Sequence, residues 1–278
     1  MKTIYVDYNL IAIMGSRLRP NATRLEEHLL QLLAHDHRVV LSTWHMLELS
    51  RSRQRPHIDA CIDLVERLGP LWASNPSYIK AEELKGFLAA ASEEFSVECH
   101  TNPAFNTTES QMWSTYGEAY VGETFAHTVN AWVKNPTTRD PIDKAVRLTP
   151  QAILIGREAM RDGRATKCQP IVDREYFKSL VGRAGPSAIK FLVDNIQYVL
   201  DDCPAVAIEE SLTKTRVVEK FTPKESDASD LQHAIVGVAY CDYFVSDDKM
   251  LIEHCRRSAS HAGVPCNVER TLLDIDIN

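Results

Sequence analysis

The segment DASDLQHAIVGVAYCDYFVSDDKML, residues 227–251, sets the fold class. Leu231, Ala234, Ile235 and Val238 recur at helical spacing, which predicts an apolar-striped helix over residues 227–240. Tyr243, Phe244 and Val245 then make a short continuous run of β-forming residues, as a strand buried in a parallel sheet requires. That strand ends in Ser246-Asp247-Asp248, a second helix is expected over 250–260, and Val264–Val268 suggests a last strand that Pro265 would place at an edge.

The other end of the chain reads the same way. Thr3–Val6 is a β-rich run closed by Asp7. Leu25, Leu29, Leu32 and Leu33 stripe a helix over residues 24–35, with Asn21 or Thr23 as its cap. Val39–Leu41 makes a second strand, and Ser42 or Thr43 caps a helix through Trp44, Leu47 and Leu49. Strand–helix–strand–helix order implies an α/β sheet with right-handed crossovers.

The middle differs. Residues 56–95 suggest two helices (57–68 and 79–94) and no convincing strand, and Asn-Pro at 102–103 and 135–136 marks turns. Further helices are expected over 112–134, 150–162, 170–182 and 186–200. The expectation is one domain over 1–278, its sheet core drawn from 1–68 and 215–278, with a mostly helical insertion over 69–214.

Composition sets broad bounds. A hydrophobic share of 44% and a charged share of 25% fit a globular protein with a sizeable core. The net charge of −7 argues against a protein that coats nucleic acid, yet a catalytic protein needs only a local basic surface. The seven cysteines, at 61, 99, 168, 203, 241, 255 and 266, form no CxxC pair, so reduced thiols are expected rather than a zinc ribbon or disulfide framework. Asp7 interrupts the apolar opening MKTIYVDYNLIAIM too early for a signal peptide or membrane span, and a cytoplasmic protein is expected.

Acidic residues stand where chemistry is favoured. Asp7 and Asp248 follow the carboxyl ends of strands, where open parallel sheets form their sites. Asp227 and Asp230 open the 227–240 helix, a pattern shared by metal sites and by acidic helix N-termini, and Glu48 lies in the helix after the second strand. Carboxylates gathered together need compensating charge, which Mg²⁺ or Mn²⁺ would supply through oxygen ligands while activating water for phosphodiester hydrolysis. A phosphatase-type site would want a second Asp in the DYNL stretch at 7–10, which lacks it.

The order of IYVDYNLI (4–11), STWHMLELSR (42–51) and the 227–251 segment resembles the PIN domain family of nucleases. The resemblance covers about residues 1–68 and 215–278, and its most specific part is the last segment. It implies a PIN-like central parallel sheet flanked by helices, and a Mg²⁺- or Mn²⁺-dependent endoribonuclease of toxin-like or RNA-processing kind. It also implies Asp7, Glu48, Asp230 and Asp248 as metal ligands and catalytic residues, with Asp227 or Asp247 assisting a second metal. Asn9 and Ser246 would bind substrate phosphate or orient a carboxylate, and His233 would polarise a carboxylate or pack within its helix. Arg51, Arg53 and Arg55, with Arg17 and Arg19, are candidates for holding the RNA backbone, and Trp44, Trp72, Trp113 and Trp132 for stacking on bases or packing the core. The competing expectations are a DNA nuclease with the same metal site, and a non-catalytic PIN-like scaffold whose insertion binds a protein. An inhibitory protein partner or homo-oligomer is compatible with either, and a membrane is not expected.

Overall fold

Strand β1 (Lys2–Val6) buries every residue but its first, because its side chains alternate between two separate cores. The computed structural model describes the chain except at residues 93–94, 96, 100–103, 117–123, 167–169, 220–221 and 278. After β1 come α1 (Tyr8–Gly15), α2 (Ala22–Ala34), β2 (His37–Leu41), α3 (Thr43–Ser50) and α4 (Arg55–Leu68). Then follow β3 (Leu71–Ala73), α5 (Pro76–Ala91), β4 (Phe105–Asn106), α6 (Glu109–Ser114), α7 (Phe125–Lys134) and α8 (Asp140–Arg161). The chain continues through α9 (Arg174–Val181), α10 (Gly185–Asp194), α11 (Ile196–Asp202) and α12 (Pro204–Val218). It closes with α13 (Ser226–Tyr240), β5 (Tyr243–Val245), α14 (Lys249–Ala262) and β6 (Asn267–Glu269).

The six strands form one sheet in the order β4-β3-β2-β1-β5-β6. Ile4, Val6, Val39 and Leu41 face a core built with α1 to α4, whereas Tyr5, Val40 and Phe244 face a core built with α12, α13 and α14. A third cluster lies in the helical block, around Leu84, Leu88, Phe177 and Leu192. The chain runs outward from β1 through β2 to β3, then returns to place β5 on the other side of β1. That reversal opens a crevice beyond the carboxyl ends of β1 and β5. The register pairs Val6 with Val245, so Asp7 and Ser246 leave the sheet side by side.

Gly237 sets how closely α13 approaches the sheet. A Cβ there would lie 2.5 Å from Phe244 Cδ2 and 2.8 Å from Tyr5 Cγ, rings fixed in the core. Gly237→Ala is therefore expected to destabilise the fold by about 1–3 kcal/mol. A circular-dichroism melt should show a midpoint several degrees lower; an unchanged midpoint would mean that the rings yield freely.

Three sequence expectations need correction. The sheet is mixed, because β4 pairs antiparallel with β3 while the other pairings are parallel. Residues 56–95 do contain a strand, β3, so the sheet draws on the stretch assigned to the insertion. The single helix expected over 112–134 is two, α6 and α7, with 117–123 outside the described residues. The sequence reading also missed α1 and most of α12. No helix among the described residues is long and apolar enough to cross a membrane. Cys61, Cys203, Cys241 and Cys255 are free and buried, Cys266 is half-buried and Cys99 exposed; Cys168 lies outside the described residues.

Candidate metal centre at the carboxyl edge of the sheet

Asp7 both ends β1 and caps α1. The Tyr8 amide donates to its Oδ1 at 2.9 Å, while Ser246 Oγ at 2.7 Å and Asn9 Nδ2 at 3.3 Å donate to Oδ2. A carboxylate held by three donors on two sides has little freedom to turn. Glu48 comes from α3, whose start is fixed by Ser42 and His45 in reciprocal capping bonds. His233 comes from α13 and is fully buried.

One ligand atom each from Asp7, Glu48 and His233 lies within 4.8 Å of the other two, and among the described residues this is the one such grouping. His233 Nε2 is 3.2 Å from Glu48 Oε2, and its Nδ1 is 2.7 Å from the Tyr5 hydroxyl. Tyr5 also meets Ser42 Oγ at 2.8 Å. His45 donates from Nε2 to the Val6 carbonyl at 2.7 Å and accepts the Ser42 amide on Nδ1 at 3.0 Å, which fixes it as the neutral tautomer.

The charges are crowded. Burial raises the Asp7 carboxyl above its ordinary range; His233 opposes the rise and Glu48 adds to it. Asp230 is pushed up to about 7, chiefly by burial, with Arg216 opposing and the Asp7 and Glu48 charges adding. Burial alone would lower His233, but the hydrogen bond and charge of Glu48, joined by Asp7 and Asp230, outweigh it and raise the imidazole. His45 is driven well below its ordinary value by burial, with the His233 charge adding. Arg216 reaches in from α12, almost wholly buried, with Nε 3.9 Å from Asp227 and Nη2 3.9 Å from Asp230. Its Nη1 has no partner among the described residues.

The remaining residues singled out in the sequence divide. Asp230 stands close enough to feel the triad electrostatically but lies outside the 4.8 Å grouping. Asp248 commits Oδ1 to the N-terminus of α14, accepting the Met250 and Leu251 amides at 2.8 and 2.9 Å, and its own amide donates to Ser246 Oγ. It is thus joined to Asp7 through Ser246, without belonging to the grouping. Asp227 accepts the Lys224 amide at 2.7 Å, a local turn contact beside Arg216. Asp247 is held by both Nη atoms of Arg19. Asn9 and Ser246 orient Asp7.

The arginines are mostly engaged within the protein. Arg51 pairs with Asp143, Arg55 with Asp59 and Asn130, and Arg17 with Glu26. Arg53 is exposed, with no ion pair among the described residues. Trp72, Trp113 and Trp132 are core residues, whereas Trp44 is half-buried. His233 had a sequence signal in its place three residues after Asp230 on one helix face, whereas nothing in the sequence marked Tyr5 and Ser42 as its supports or Arg216 as the partner of Asp227 and Asp230.

Two carboxylates and one imidazole converging at a sheet edge form a donor set that suits a divalent cation, and the imidazole favours Mn²⁺ over Mg²⁺. Tyr5 beside Nδ1 fixes the His233 ring, as an outer partner of a metal-bound imidazole does. Compared with known protein families, with curated proteins and with solved structures, the chain shows no significant match in any of the three.

Proposed function

We propose that the chain is a metal-dependent nuclease, an endoribonuclease built on a PIN-like α/β core. The observation that carries this reading is the convergence of Asp7, Glu48 and His233 within 4.8 Å, beyond the carboxyl end of β1. A divalent cation held there would supply an acidified water and charge stabilisation for phosphodiester hydrolysis. The chain's own groups have distinct tasks. Asp7 and Glu48 offer oxygens and His233 offers Nε2. Ser246, Asn9 and the Tyr8 amide hold Asp7 in place, and Tyr5 holds His233. Asp230, pushed up to about 7 chiefly by burial in the metal-free chain and coupled to the charges of Asp7 and Glu48, would ionise as a cation binds and add its negative charge to the site.

A second reading has its own support. His233 and Arg216 already bring positive charge among the carboxylates, as a PIN-like scaffold without catalysis would need. The test is cleavage of a labelled panel of single-stranded RNA, structured RNA and DNA, in Mn²⁺, in Mg²⁺ and in chelator. We expect Mn²⁺-stimulated cutting of RNA that chelator abolishes. Cutting of DNA alone would reassign the substrate, and no cutting of any strand would favour the scaffold.

A further inference from the structure

We propose that a pocket beside the metal centre receives one unpaired nucleobase of a single-stranded RNA. The substrate identity rests on the nuclease reading; the pocket itself rests on separate observations. It has a volume of about 320 Å³, small for a ligand pocket, and is lined by Trp44, Asn75, Ser77, Tyr116 and Gln232 over an apolar floor that includes Val146.

Its position follows from the topology. Trp44 stands three residues past the end of β2, and Asn75 two past the end of β3. Both therefore project from the same carboxyl edge that carries Asp7 at the end of β1. The order β3-β2-β1 puts the pocket and the acidic cluster on adjoining strands. Neighbouring strands lie roughly 5 Å apart, so the two sites are separated by about the span of one nucleotide. Helix α3 makes the same link: Trp44 and Glu48 are four residues apart and lie on one face, Trp44 toward the helix start. Helix α13 contributes to both from adjoining faces, Gln232 to the pocket and the next residue, His233, to the cluster.

The lining has the chemistry of base recognition. Trp44 packs against the first core with one side but stays half-buried, whereas Trp72, Trp113 and Trp132 are 3%, 4% and 6% exposed. With Tyr116 it offers aromatic surface on which any base can stack. Polar groups able to read a base edge are unused. Gln232 is half-buried and its amide has no hydrogen-bond partner among the described residues, while Asn75 commits its Oδ1 to the Ser77 amide and leaves its NH₂ free. Side-chain amides reach the Watson–Crick edge of a base only when it is unpaired, and the narrow major groove of an RNA duplex keeps them from the other edge, which selects an unpaired strand. A solvated aromatic rim would have no need of the Gln232 amide and the Asn75 NH₂ around it.

The test separates binding from cutting. Metal-free protein in chelator is titrated with a fluorescein-labelled single-stranded oligoribonucleotide and with the same strand in a duplex. Anisotropy reads binding, and the share of the four-tryptophan emission that Trp44→Phe removes reads Trp44. The single strand should quench the tryptophan signal and bind more tightly than the duplex. Trp44→Ala should weaken binding about tenfold, the loss of one base–aromatic stack. Trp44→Phe should retain most of the affinity while losing the quench, and Gln232→Ala should alter the ranking of homopolymer strands. The pocket assignment is overturned if duplex binds as tightly as single strand. It is equally overturned if Trp44→Phe leaves the quench in place, or if Gln232→Ala leaves both affinity and base ranking unchanged. None of these outcomes touches metal-stimulated cleavage, which judges the nuclease reading by itself.

Discussion

Asp7→Asn is expected to lower Mn²⁺-stimulated cleavage by more than about a hundredfold, beyond the loss usual for a group that only supports a metal ligand. The same change should leave the thermal midpoint unchanged or raise it. Both halves follow from the surroundings of one carboxyl. Asp7 is buried, and Glu48 and Asp230 crowd it with like charge. The neutral amide removes that repulsion. It can still accept the Tyr8 amide, the Ser246 hydroxyl can turn to accept from the new NH₂, and the Asn9 amide, which donates to the same atom at 3.3 Å, can flip to present its carbonyl. The fold therefore loses little, whereas a cation loses its best-held anionic oxygen. Cleavage assays beside thermal melts separate these effects. A variant that cuts at the wild-type rate would remove Asp7 from the site. A variant that is inactive because it has unfolded would contradict the account of its hydrogen bonds.

How much of this was visible in the sequence depends on how local each signal is. The strands β1, β2 and β5 and the helix α13 were legible because each carries its own apolar pattern. Strand β3 was not: three residues set between Pro70 and the Asn75-Pro76 turn are too few for any periodicity, and only pairing with β2 makes them a strand. The antiparallel β4, with two residues, is also defined by its partner alone. At the site, Asp7 and Glu48 were legible from their place after strands. Asp248 was drawn in by the same rule, but a side chain at the start of a helix has amides to satisfy, and its Oδ1 went to the cap. His233 was visible only as a neighbour of Asp230 on a helix face. Its role depends on Glu48, 185 residues away, which no short-range pattern reveals. The same distance hides the fate of the arginines: Arg51 meets Asp143, 92 residues later, so a basic cluster in the sequence became an internal ion pair.

The second large effect couples pH to metal. In metal-free protein the thermal midpoint should fall as pH rises from about 6.5 to 8. Asp230 has a folded value of about 7 against an ordinary 3.8, so the folded form holds its proton more tightly. The stability it contributes is full below the ordinary value and is lost as pH rises through about 7. Asp7, raised chiefly by burial, acts in the same direction. His233 is raised above 6.5 despite burial, so its contribution also fades as pH climbs through its folded value. His45 is depressed by burial and works oppositely: it costs stability below its ordinary 6.5 and nothing above it. Glu83, pushed up to about 7 chiefly by burial in the helical block, fades over the same window, so the difference between wild type and Asp230→Asn measures the cluster's own share. A cation needs carboxylates ionised and imidazole neutral, so its binding strengthens as these protons leave. At a fixed concentration a hundred times the dissociation constant at pH 8, Mn²⁺ should add about 2.7 kcal/mol there, or roughly 5–10 °C at the midpoint, and less at pH 6.5 where it binds more weakly. Melts with and without Mn²⁺ across this range measure it directly. If the metal leaves the midpoint unmoved at pH 8 while melting stays cooperative, then His233 and Arg216 balance the carboxylates alone. The cluster would then be an internal charge network, and the nuclease would give way to the scaffold.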